Sequence, residues 1–145
     1  MKIFKLSILI GFILIVGCSK DSESFNTYST PSWAISSINN LPNSFTAIVG
    51  IPDNISKYAS DQDMVSAFIG TECRGLGNLV EGKDSTKRVY YITVRASDTE
   101  DQQITFRYYN ASLSYLYHAN NTVAFESDAT YGTFDNPVIL ELVQQ

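Results

Sequence analysis

From residue 31 onward the apolar residues come in short runs, without the three-to-four-residue period of an amphipathic helix. Ser44 to Ile51 (SFTAIVGI), Met64 to Ile69 (MVSAFI), Arg88 to Ala96 (RVYYITVRA) and Gln103 to Tyr109 (QITFRYY) are rich in Val, Ile, Thr, Phe and Tyr. These side chains suit a pleated, half-buried surface. Turn formers separate the runs: Pro52-Asp53-Asn54, Gly70-Thr71, Ser97 to Asp101, and Asn110 to Ser112. Weaker strands are expected at Trp33 to Ile38, Glu72 to Val80 (with two glycines), Leu113 to His118, Thr122 to Glu126 and Pro137 to Val143. The polar stretch Asp53 to Asp63 has room for one helical turn around Ser56 to Ala59. Eight or nine short strands at this spacing predict an all-β fold. The expected form is a single antiparallel β-sandwich, immunoglobulin-like or of related topology.

Alternation assigns faces, because successive strand side chains point to opposite sides. Tyr90, Ile92 and Val94 form the more apolar set of their strand and are assigned to the core, together with Ile104, Phe106 and Tyr108. Val123 and Phe125 are expected to join them beside Ala67 and Ile69. The outward set is then Tyr91, Thr93, Arg107 and Tyr109, which is aromatic and basic.

The first eighteen residues read MKIFKLSILIGFILIVGC. Lys2 and Lys5 precede an uncharged run, Leu6 to Val16, that is short for a membrane span. Ile15-Val16-Gly17-Cys18 resembles the lipobox of bacterial lipoproteins. The resemblance implies a signal peptide at 1–17, cleavage after Gly17, and acyl chains on Cys18 that anchor the protein stably in a membrane. Residues 18–30 then read as the lipidated Cys and a polar, flexible tether, and 31–145 as the domain. Ser19-Lys20-Asp21-Ser22-Glu23 looks like the surface-export tether of Bacteroidetes lipoproteins. That likeness points to the outer membrane, on the cell surface rather than the periplasmic side.

The chain has 145 residues and a net charge of −5. Removing Lys2 and Lys5 from the 10 basic residues leaves 8 against 15 acidic ones, a net of −7 for the mature part. An acidic domain repels phosphate backbones, so no nucleic-acid partner is expected. Of the two cysteines, Cys18 is assigned to lipid and Cys73 is left without a partner. The domain must stand on its apolar core.

Asp63-Met64-Val65-Ser66-Ala67-Phe68-Ile69-Gly70-Thr71-Glu72-Cys73-Arg74-Gly75 resembles a β-rich module of Bacteroidetes exported proteins. Ile104-Thr105-Phe106-Arg107-Tyr108-Tyr109-Asn110-Ala111 and the ending Phe125, Asp128, Gly132-Thr133, Asn136-Pro137-Val138 extend the likeness over roughly residues 33–143. The module brings no assigned activity. It implies a β-sandwich outside the inner membrane and no catalytic residues.

Little in the sequence suggests catalysis. Cys73 beside Arg74 could be a low-pKa thiol, but free cysteine usually behaves as a small buried hydrophobe. Arg74 is expected to form a structural ion pair with Asp63 or Asp128. His118 is the one histidine, and structural zinc wants four N or S ligands. Asp61-Gln62-Asp63 is the nearest approach to a calcium loop, but it lacks the glycine and terminal Glu of an EF-hand. No metal and no cofactor are expected. Asp84-Ser85-Thr86 looks like an O-glycosylation site of Bacteroidetes exported proteins, on Ser85.

Nine tyrosines are the richest feature. Exposed aromatic faces with polar neighbours stack on sugars or anchor protein partners. Trp33, Tyr91, Arg107 and Tyr109 are the candidate ligand-binding residues. The expected function is a non-enzymatic envelope lipoprotein, a binding or accessory module for a glycan or a surface protein. The alternative is a structural subunit of an envelope complex with no small ligand. The sequence leaves the oligomeric state open.

Overall fold

The computed structural model describes residues 25–35, 40–80, 87–97 and 102–145. The expected signal peptide, Cys18 and Ser85 lie outside the described residues. The elements are β1 (Asn43–Gly50), α1 (Asp53–Ser56), β2 (Met64–Ile69), β3 (Glu72–Val80), β4 (Val89–Ala96), β5 (Gln103–Asn110), β6 (Tyr115–Ala124), β7 (Thr130–Tyr131), β8 (Val138–Ile139) and β9 (Leu142–Gln144). The protein is all-β, as its pattern predicts.

The layering differs from the expected sandwich. The strands form one curled sheet, ordered β7-β1-β4-β3-β2-β5-β6-β9, with β8 also on β1. It is a half-barrel and not two sheets face to face. It is also mixed: β7 and β8 run parallel to β1, while the remaining pairs are antiparallel.

The curl is made at β3. Its first half pairs with β2 and its second half, Gly77 to Val80, pairs with β4. Ala67 faces Gly75 and Phe68 faces Cys73, so Arg74 is the extra residue of a β-bulge. A bulge bends its strand and sharpens the twist. The two glycines let the bent strand press against the concave face. A Cβ on Gly75 would lie 2.7 Å from Ile92 Cγ2 and 2.8 Å from the Thr93 carbonyl oxygen, and one on Gly77 2.9 Å from the Val65 carbonyl oxygen.

The core lies on the concave face. Phe45, Ala47 and Val49 of β1 meet Tyr90, Ile92 and Val94 of β4, then Val65 and Ala67 of β2 and Ile104, Phe106 and Tyr108 of β5. Phe125 is buried with them, and Val123 and Ile69 pack against the cluster. The face assignment from alternation therefore holds on β4 and β5.

The last residues staple the two edges of the curl. β8 lies along β1 at one edge and β9 along β6 at the other. Between them Leu140 is buried and its N–H donates to the Gly50 carbonyl at 2.9 Å. The Asn120 N–H donates to the Glu141 carbonyl at 2.9 Å, and the Glu141 N–H to Asn121 Oδ1 at 2.5 Å. These asparagines sit in an irregular stretch of β6, where the pairing skips from Thr105–Thr122 to Arg107–His118. The sequence splits β6 into two strands at this point, and joins β8 and β9 into one. α1 closes the same open side with buried Ile55, and its hydrogen-bonded turns run on to Ala59.

Residues 25–35 are not a strand. They lie as an extended strap that runs from Tyr115 on the core side to Phe68 on the convex face. The Tyr28 N–H donates to the Ser114 carbonyl at 2.8 Å, Phe25 meets the Tyr115 ring at 5.9 Å, and Trp33 meets the Phe68 ring edge-on at 5.7 Å. The last six residues of the expected tether, 25–30, thus share in the domain's contacts.

Candidate functional site

Asp63 and Asn110, both in stretches that carry the resemblance, anchor a buried polar network. Asp63, at the head of β2, is buried, and its carboxylate accepts four donors. These are the Ser60 N–H (3.0 Å), the Ser60 hydroxyl (2.9 Å), the Tyr108 hydroxyl (2.5 Å) and the Ala111 N–H (2.9 Å). Asn110 extends the network: its Nδ2 donates to the Tyr108 hydroxyl at 3.0 Å and to the Tyr58 carbonyl at 3.1 Å, and its Oδ1 accepts the Leu113 N–H at 2.8 Å. Burial and the adjoining carboxylate drive the Tyr108 phenol pKa well above its ordinary value, and burial pushes Tyr90 up to about 12. Both phenols stay neutral. The network pins α1 and the β5–β6 turn to the end of the half-barrel.

Arg74 does not take part, which corrects the expected ion pair with Asp63 or Asp128. Asp63 lies at the start of β2, whereas the bulge that carries Arg74 faces its far end. Arg74 pairs instead with Glu72, Nη2 to Oε2 at 2.6 Å. Asp128 stands in a turn at φ 63°, its N–H donating to the Ser44 carbonyl at 2.7 Å.

The four aromatic and basic candidates do not converge. Trp33, Arg107 and Tyr109 gather on the convex face of the β2–β5 half, with the Arg107 guanidinium 4.3 Å over the Phe68 ring. Tyr109 was expected to face solvent, but it is 3% exposed, because the strap covers it and its hydroxyl donates to the Tyr28 carbonyl at 3.1 Å. It is a docking contact within the chain. Tyr91 sits on β4, two strands away in sheet order. It stacks on Phe134 at 6.2 Å, and hydrogen bonds from Thr93 and Thr46 lower its phenol pKa. Cys73 is buried on the strap side, and desolvation raises its thiol pKa, partly offset by a bond to the Gly75 carbonyl.

A different set of rings lines a concavity. At the open side of the half-barrel a groove of about 510 Å³ is lined by Phe25, Asn54, Ile55, Tyr58, Leu113, Tyr115, Tyr117, Leu142 and Gln144. The rings are held from behind: Tyr117 packs on Tyr108 at 5.6 Å, Tyr115 on Phe25, and the Lys57 ammonium lies 4.8 Å from the Tyr58 ring centroid. Gln144 Nε2 is buried with no hydrogen-bond partner among the described residues. A second hollow of about 490 Å³ adjoins it past Asn54, Ile55 and Leu142. The sequence signal for the groove was the Tyr115-x-Tyr117 pair, which alternation puts on one face. The other members come from three separate segments and carry no joint pattern.

No protein-family model, curated protein or solved structure matches the chain.

Proposed function

We propose that the chain is a non-enzymatic lipoprotein of the bacterial envelope, anchored through Cys18 in the outer membrane and displayed at the cell surface. It acts as a binding or accessory module for a glycan or a surface protein. The observation that carries the binding role is the groove of Phe25, Tyr58, Tyr115 and Tyr117, four rings around a hollow of about 510 Å³. Sites for small ligands are concave, mostly apolar and about 300–1,000 Å³ in volume. The ligand surface therefore moves from the convex-face residues to the open side of the barrel. The lipobox-like Ile15-Val16-Gly17-Cys18 supports the anchor. Six residues lie between Cys18 and Phe25, a reach of at most about 25 Å at full extension, so the anchor would hold the groove close to the bilayer.

Two measurements on cells expressing the full chain test this reading. Incorporation of an alkyne-tagged palmitate should be abolished by Cys18→Ala. Protease shaving of intact cells should release peptides from the domain. Label that survives Cys18→Ala removes the anchor, and peptides seen only after lysis remove surface display.

A further inference from the structure

We infer that the groove at the open side of the half-barrel binds a neutral oligosaccharide, its sugar rings stacked on Tyr58 and Tyr115 over the buried ring of Tyr117. This rests on the reading of the chain as a binding module and names its ligand class.

Three features select that chemistry. First, four of the nine lining residues are aromatic, and two of those, Phe25 and Tyr58, are about half exposed at the lip. The C–H faces of a pyranose cover such rings without needing a deep socket, and the groove is shallow and open rather than an enclosed pocket. Second, no lining side chain carries a charge. A charged ligand would lose water there without gaining a counter-charge, a costly exchange. The acidic net charge of the chain, −5, disfavours anionic glycans further. Third, the wall holds amides. Asn54 and Gln144 both line it, and Gln144 Nε2 has no hydrogen-bond partner among the described residues. An unpaired amide N–H that turns into the groove gains a hydrogen bond to a ligand acceptor. A sugar hydroxyl supplies that acceptor, and an apolar peptide side chain does not.

The groove is also preorganised. Tyr117 leans on core residue Tyr108, which the Asp63 network fixes, and Lys57 restrains Tyr58. Rings already held in place lose little freedom when a ligand docks.

The test is isothermal titration of the full lipoprotein in detergent with cellohexaose, xylohexaose and mannohexaose, with polygalacturonate as the anionic control. At least one neutral hexaose should bind. Tyr58→Ala should weaken it about tenfold, the scale of one lost stacking contact, with Tm unchanged because the ring is exposed. Gln144→Leu should weaken binding and leave Tm level or raised. Binding of polygalacturonate alone, or neutral-sugar binding indifferent to both substitutions, overturns the inference. If no sugar binds but a surface protein crosslinks through Tyr58 in cells, the glycan assignment falls and the binding-module reading stands. If neither occurs, both fall.

Discussion

Tyr108 donates its hydroxyl proton to Asp63 across 2.5 Å, inside a network that leaves the buried carboxylate with four donors. Removing the acceptor strands donors away from water, each at about 1–3 kcal/mol. Asp63→Ala should therefore cost about 3 kcal/mol or more, read as a lower midpoint in urea unfolding. Tyr108→Phe should cost less, about 1.5–3 kcal/mol for one bond to a charged group.

The bend of β3 depends on Gly75. A methyl group there meets Ile92 and the Thr93 backbone, which cannot swing aside. Gly75→Ala should destabilise by about 1–3 kcal/mol, the usual cost of overpacking. Gly70→Ala is the comparison. It has φ 60° and nothing within 4 Å of the added carbon, so its cost comes from the backbone alone, about 1–2 kcal/mol. A Gly75→Ala protein as stable as wild type would refute the corner assigned to β3.

Buried phenols make the fold sensitive to alkali. The pKa of Tyr90 is raised from 10.0 to about 12, and that of Tyr108 is raised too. Above pH 10 the unfolded chain releases these protons while the folded chain keeps them, so stability falls as pH rises. The contribution of Tyr90 is fully present below about pH 10 and is lost progressively toward pH 12, roughly 3 kcal/mol in all. Chemical denaturation between pH 8 and pH 12 should show this slope. Tyr90→Phe should flatten it in part.

Trp33 fastens the strap through the Phe68 ring, beneath which lie the Arg107 contact and buried Tyr109. Trp33→Ala should loosen residues 25–35. Limited proteolysis should then cut near Thr30 sooner, and amide exchange of Tyr28 should quicken because its N–H bond to Ser114 opens. Unchanged cutting would show that the strap holds without Trp33.

The concave face was legible in the sequence because β4 alternates cleanly, with Tyr90, Ile92 and Val94 against Tyr91, Thr93 and Arg95. The half-barrel was not, since alternation reports a buried face and is silent on what covers it. A sheet curled on itself and two facing sheets give the same pattern. β7 and β8 have two residues each and β9 three, too few to show a period. The outward assignment of Tyr109 failed because its cover, Phe25 to Thr30, is polar enough to read as tether. Arg74 was misassigned for want of the bulge, which turns it toward Glu72. The groove draws Phe25, Tyr58, Tyr115 and Gln144 from four places in the chain, and only folding brings them together.

The binding role of the groove is tested most directly by photocrosslinking in intact cells. A photoreactive phenylalanine would replace Tyr58 in the groove in one strain, and in another Phe134, which is exposed and stacked on Tyr91 on a different part of the surface. Discrete adducts from position 58, absent from position 134 and lost with Tyr115→Ala, are the outcome expected of a groove that binds. Adducts from position 134 alone, or none from position 58, would contradict it.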